Sequence, residues 1–115
     1  FPTRRSSDLT WRLIGTTEPG PQAYNTGGEM AMWLSEDAGH TWTLTRRMTT
    51  DSPFNHNYPR RPRHAHPDFY AIWADGHGRG RSASRLYFCN QAGDVFRLPE
   101  TIDGHARMIE PEAMD

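Results

Sequence analysis

Ser35-Glu36-Asp37-Ala38-Gly39-His40-Thr41-Trp42 is the stretch on which the reading of this chain turns. Each fixed position has a local task. Asp37 can accept backbone N–H bonds within its own turn, as short acidic side chains do. Gly39 supplies a positive φ without steric cost. Ser35 and Thr41 can add hydroxyl bonds at the neck, and Trp42 can fold back over the turn. The flanks alternate with period two. In residues 29–34, Met30, Met32 and Leu34 alternate against Ala31 and Trp33. In residues 42–48, Trp42, Leu44 and Arg46 alternate with Thr43 and Thr45. Period two on both sides of a tight polar turn predicts a β-hairpin.

Upstream, residues 11–17 read as a strand with Trp11, Leu13 and Gly15 on one face and Arg12 and Ile14 on the other. Glu18-Pro19-Gly20-Pro21 stops it. Asn25-Thr26-Gly27-Gly28 reads as a strand-entry turn, whose glycines could also let a ligand approach the backbone. Downstream, residues 49–67 read as one long polar loop in which prolines forbid a regular helix. Residues 68–74 (Asp-Phe-Tyr-Ala-Ile-Trp-Ala) form the most core-like strand. Residues 75–80 are a flexible connection. Residues 85–90 and 94–98 pair around Gln91-Ala92-Gly93, and residues 99–115 are a polar tail without pattern. No helical period stands out. The fold class expected is all-β, from antiparallel strands in a sandwich, barrel or propeller. A propeller blade takes about 40–50 residues, so the chain would hold two blades. Two cannot close a ring, which places part of the core outside this sequence.

The whole chain has 115 residues and a net charge of −1. No overall field draws it to nucleic acid or to an anionic membrane surface. No apolar run approaches the roughly 20 residues of a membrane helix. The single cysteine, Cys89, lies in a strand-like run and reads as a small packed side chain. Residues 1–9 (Phe-Pro-Thr-Arg-Arg-Ser-Ser-Asp-Leu) have no amphipathic period and resemble a forward-frame translation of a sequencing-library adaptor. They are read as a non-native leader. That leaves residues 10–98 as the β domain and residues 99–115 as its tail.

The pattern Ser35-x-Asp37-x-Gly39-x-Thr41-Trp42 resembles the Asp-box, or BNR repeat, of sialidase-like β-propellers. Further stretches resemble the C-terminal end of the BNR-repeat-containing family: Asn25-Thr26-Gly27-Gly28-Glu29, residues 55–62, residues 65–76, Arg85-Leu86-Tyr87-Phe88-Cys89 and Asp94-Val95-Phe96-Arg97-Leu98-Pro99. The resemblance implies the last two blades of a seven-bladed propeller, with the upstream blades as the missing partner. It implies a structural role for the box, at the outer edge of a blade and on the rim opposite the ligand face. It also implies a carbohydrate-active parent, exported to the periplasm or secreted. Within that family are propeller polysaccharide lyases whose catalytic His and Tyr come from several blades.

Candidate chemistry gathers in residues 56–70. Arginine forks bind carboxylate or sulfate in bidentate fashion, and tyrosines stack on sugar rings. Arg60, Arg61 and Tyr58 are the candidate substrate-binding residues. A uronate lyase needs a base for the proton α to the carboxylate, an acid for the leaving oxygen and a cation on the carboxylate. His56, His64, His66 and Tyr70 are the candidate catalytic residues. In the competing reading the arginines pair with nearby carboxylates and the histidines cap loops. His64-Ala65-His66 could hold a metal only with a third partner such as His56 or Asp68. Neither a metal nor a cofactor is assigned. Glycosidases normally pair two carboxylates, and only Glu29 and Asp68 precede plausible inner strands, which favours a lyase. The expected partner is an acidic, uronate-containing polysaccharide or oligosaccharide, with the isolated piece inactive. The alternative is a non-catalytic propeller that binds glycan or protein.

Overall fold

The structure is a computed structural model that describes residues 10–23, 27–99 and 101–114. The expected leader, and Asn25 and Thr26 of the proposed entry turn, lie outside the described residues. All regular structure among the described residues is β. In chain order the strands are β1 (Trp11–Thr17), β2 (Glu29–Ser35), β3 (Thr43–Arg47), β4 (His56–Arg60), β5 (Ala71–Asp75), β6 (Leu86–Cys89), β7 (Val95–Arg97) and β8 (Glu112–Ala113). They form two antiparallel meanders, β1-β2-β3 and β4-β5-β6-β7-β8.

Antiparallel order alternates the connections between the two ends of each sheet. The turns over residues 36–42, 61–70 and 90–94 lie at one end. The connections that follow Thr17, Arg47, Asp75 and Arg97 lie at the other. Paired residues share a face, so the register sorts the side chains. Ile14 pairs with Met32 on one face of the first sheet. In the second, Ala71 pairs with Cys89, Trp73 with Tyr87 and Cys89 with Val95. These faces meet in a core of Met30, Met32, Met48, Ala71, Trp73, Tyr87, Cys89 and Val95. The Trp73 and Tyr87 rings stack 5.6 Å apart at 1°. Met30 and Met32 of β2, with Met48 just past β3, are flexible side chains that fill the space these rigid rings leave.

Asn55 locks the sheets together at the connection end. Its Oδ1 accepts the Gln22 N–H at 2.9 Å, its Nδ2 donates to the Gln22 carbonyl at 2.8 Å, and its own N–H donates to Gln22 Oε1 at 3.0 Å. The side chain is fully buried. Gly20 is a steric requirement of this lock, because a Cβ there would overlap the Asn55 amide. The His56 N–H donates to the Gly27 carbonyl at 3.1 Å and continues the seam.

Three sequence expectations are corrected. The polar loop expected over residues 49–67 contains strand β4, which pairs with β5 through a bulge between Asn57 and Arg60. Tyr58 sits there with φ 53°. Bulges use a left-handed residue in this way, and an edge strand tolerates Pro59. The aromatic strand begins at Ala71 rather than residue 68. Ahead of it the Phe69 N–H donates to the His66 carbonyl at 2.9 Å and closes a turn. The patternless tail contributes β8, held by the Met114 N–H donating to the Val95 carbonyl at 2.8 Å.

Candidate functional site

The β2–β3 turn is closed by its own side chains. Ser35 Oγ donates to Asp37 Oδ1 and accepts the Gly39 N–H, both at 2.8 Å. Asp37 Oδ1 accepts the Thr41 N–H at 2.8 Å, and Oδ2 accepts the Thr41 hydroxyl at 2.6 Å. These bonds, the Thr41 hydroxyl foremost, hold the Asp37 carboxyl down at about 2. Trp42 Nε1 donates to the Gly39 carbonyl at 3.1 Å. Gly39 has φ 88°, and a Cβ there would run into the Trp11 ring. The β6–β7 turn repeats the lock at the same spacing. Asn90 Oδ1 accepts the Asp94 N–H at 2.8 Å, and its Nδ2 donates to Asp94 Oδ2 at 2.9 Å. Arg46 of β3 reaches across to Asp94 at 2.6 Å and joins the sheets at the turn end. Ser35, Asp37, Thr41, Trp42, Asn90 and Asp94 thus spend their polar atoms within the turns or on Arg46.

His56 is buried at the start of β4 and both ring nitrogens are engaged. Trp73 Nε1 donates to Nδ1 at 2.9 Å. Nε2 stands 2.9 Å from Ser52 Oγ, which donates to Glu29 Oε1 at 2.6 Å. An indole N–H can only donate, so Nδ1 must accept and Nε2 carries the proton. Burial pushes the imidazole pKa down, against the nearby Asp75 and Glu29 carboxylates, which raise it. A neutral His56 that donates to Ser52 cannot take the Ser52 proton. The Ser52–His56 contact is therefore a structural relay rather than a nucleophile and its base. Beside it the buried Asp75 carboxylate accepts four bonds. The Arg85 N–H lies at 2.6 Å, Arg85 Nε at 3.1 Å, Arg85 Nη2 at 2.9 Å and the Tyr87 hydroxyl at 2.7 Å. Burial and that carboxylate push Tyr87 up to about 12.

Arg60 and Arg61 behave differently. They line a cleft of about 130 Å³ at the turn end, between the edge strands of the two sheets, together with Arg12, Ile14, Pro59, Tyr70 and Ala71. Among the described residues none of the three arginines takes part in an ion pair. The basic groups that do pair are Arg46, Arg85 and Arg97. Pairing with neighbouring carboxylates, the competing expectation for Arg60 and Arg61, therefore does not occur among the described residues. Tyr58, raised on the bulge, is 73 % exposed. His64 and His66 stand on the exposed 61–70 turn, where His66 Nδ1 accepts the Asp68 N–H at 3.0 Å. Among the described residues no three His, Cys, Asp or Glu side chains come together as a metal set.

The structure thus divides the sequence-defined cluster. Arg60, Arg61 and Tyr70 share a cleft, whereas His56 lies four residues up β4, roughly 13 Å away at 3.3 Å per residue. The cleft opens at the strand end that carries the 36–42 turn, not on the opposite rim, because β4 ends at Arg60 and turns back there. Arg12 was not among the candidates. Its signal was in β1, where a charged residue shares the inward face with Ile14. The chain matches no protein-family model, no curated protein and no solved structure.

Proposed function

We propose that this chain is a two-sheet part of an Asp-box propeller that binds acidic glycan at its box-bearing end, rather than on the opposite rim that the resemblance implies, with the uronate carboxylate held in the cleft of Arg12, Arg60 and Arg61. The observation that carries the reading is that three guanidinium groups line one concave site and none has a carboxylate partner among the described residues. Guanidinium forks match carboxylate geometry and keep their charge at any physiological pH. The Tyr70 ring in the cleft and the exposed Tyr58 beside it offer faces for a sugar ring. The parent protein is a carbohydrate-active lyase, exported from the cytoplasm, whose acid and base include groups outside this chain. On the present residues the chain binds and does not turn over.

Titration of the 115-residue chain with an oligogalacturonate and with a neutral oligosaccharide of equal length tests the reading. Calorimetry is expected to show binding of the acidic ligand alone. Arg61→Ala should weaken it about tenfold, since a charge-assisted bond contributes about 1.5–3 kcal/mol and part of this is lost to solvent at an open site. Equal affinity for the two ligands, or an Arg61→Ala variant that folds and binds unchanged, overturns it. Release of an unsaturated uronate, seen by its near-ultraviolet absorbance, would show turnover by the chain alone.

A further inference from the structure

The far edge of β7 is covered by the chain's own tail. A sheet edge presents unpaired N–H and C=O groups and readily accepts an added strand. Here the added strand is β8, with Ala113 opposite Phe96 and Glu112 opposite Arg97. The Met114 N–H donates to the Val95 carbonyl at 2.8 Å. Alternation along an extended chain puts Glu112 and Met114 on one side. Glu112 Oε2 accepts from Arg97 Nη2 at 3.3 Å, and Met114 packs against the core. The tail thus reads the edge with two side chains, an acid and an unbranched apolar group, two residues apart.

This occupant is loosely held. β8 is two residues long, and Glu112 is 53 % exposed, so its ion pair contributes little. Residues 101–113 are exposed, and among the described residues the hydrogen bonds of residues 101–111 stay between Asp103 and Ala106. The occupant also fits incompletely. Arg97 Nε is buried without an acceptor. Glu112 therefore meets one corner of a guanidinium whose Nε and Nη2 together could hold a carboxylate in bidentate fashion. Beside Met114 lies a cavity of about 180 Å³, lined by Met48, Pro53, Tyr87 and Arg97 among others, which the methionine leaves open.

We propose that the β7 edge is a strand-addition site for an extended acidic peptide, and that the tail is its displaceable resident. The peptide's carboxylate side chain sits on Arg97, and an apolar side chain two residues on enters the cavity beside Met48 and Tyr87. Main-chain bonds to Val95 and Arg97 supply affinity, and the two side chains supply selectivity, as in other strand additions. The resident tail sets the threshold. A tethered segment competes with a free one at an effective concentration on the order of millimolar. A partner peptide therefore binds weakly while the tail is seated and tightly once it is released.

Fluorescence anisotropy with a labelled heptapeptide of residues 108–114 tests this on the full chain. The wild type is compared with the double variant Glu112→Lys and Met114→Ser, which releases the tail. The released variant is expected to bind the peptide about tenfold tighter or more, since the tethered competitor is gone. The same peptide carrying Glu112→Gln, or the released variant carrying Arg97→Gln, is expected to lose most of that gain. Three results would overturn the proposal: a released variant that binds no tighter than wild type or not at all; equal binding of the Glu112→Gln peptide; or a wild type that sediments as a dimer which the double variant abolishes, assigning the edge to a second copy's tail. Met114→Pro, which removes the N–H that bonds Val95, replaces the double variant if its thermal melt shows it unfolded. The site shares no lining residue with the arginine cleft, so the outcome is independent of glycan binding.

Discussion

Asp75→Asn isolates the largest electrostatic commitment in the fold. The Asp75 carboxylate is buried and receives donors at both oxygens, one at Oδ1 and three at Oδ2. Asparagine has one acceptor oxygen and one NH₂ group. In its better orientation the oxygen keeps the Arg85 guanidinium and Tyr87 hydroxyl, and the NH₂ faces the Arg85 N–H. The other orientation opposes three donors. In both, the Arg85 guanidinium, only 11 % exposed, loses its counter-charge. Breaking a buried pair by removing one partner costs about 3–5 kcal/mol. A domain of this size holds roughly 5–15 kcal/mol in all. The midpoint should fall by roughly 10–25 °C, at a few degrees per kcal/mol. Thermal denaturation followed by circular dichroism and near-ultraviolet absorbance reads it directly. The triple change Asp75→Leu, Arg85→Met and Tyr87→Phe should recover part of the loss, because no charge or phenol is then left alone and only the Arg85 N–H lacks its acceptor. An Asp75→Asn protein that melts within about 3 °C of wild type would refute the reasoning, since such a shift corresponds to less than about 1 kcal/mol.

Two further perturbations test the seam and the relay. Gly20→Ala forces a methyl group against an Asn55 amide fixed by three bonds to Gln22, and should cost about 1–3 kcal/mol as overpacking does. An unchanged urea midpoint would show that the seam gives way easily. His56 has a folded-state pKa below its ordinary value because it is buried. Below about pH 6.5 the unfolded chain takes up a proton that the folded one refuses, so stability falls as pH drops through that window. Glu29, whose pKa is also lowered, adds its own loss only below about pH 4.5. His56→Gln should therefore flatten the stability profile between about pH 5 and 6.5, and a slope equal to that of wild type would exclude His56 as its source.

What could be read from the sequence follows from the range of the interactions involved. The β2–β3 turn was legible because all its locks close within eight residues. Asp37 bonds Thr41, Ser35 bonds Gly39, and the flanks alternate cleanly. The β6–β7 turn was legible as a hairpin, but its Asn90–Asp94 lock was not, since it lacks the Ser and Trp that mark the first. Strand β4 was hidden because Tyr58-Pro59 combines a left-handed residue with a missing donor, both of which argue locally for a loop. Only the edge position and the bulge reconcile them with a ladder. Arg12 was hidden for a different reason. Its partners in the cleft, Arg60 and Arg61, lie nearly fifty residues away and meet it only when β1 and β4 come edge to edge. The β8 pairing rests on two residues that no local pattern distinguishes from the rest of the tail.

Strand direction also decides what chemistry the arginine cleft can draw on. As one loop, residues 56–70 would let any histidine swing toward Arg60. As a strand followed by a turn, they cannot. β4 fixes His56 at the connection end, where the indole of Trp73 claims Nδ1 and Ser52 claims Nε2, and its pKa is lowered rather than tuned toward a shared proton. His56 therefore works for the core. His64, His66 and Tyr70 follow Arg60 around the turn and remain on its side of the molecule. Of these, Tyr70 lines the cleft itself, and the His66 ring already accepts a backbone N–H at Nδ1, which leaves its Nε2 to meet a ligand. A carboxylate drawn into the cleft would thus meet cations from β1 and β4 and one phenol. That set can bind and orient an acidic sugar, but it lacks a buried base poised to take a carbon-bound proton. The division of labour is set by the register of β4 against β5, and a shift of that register would change it.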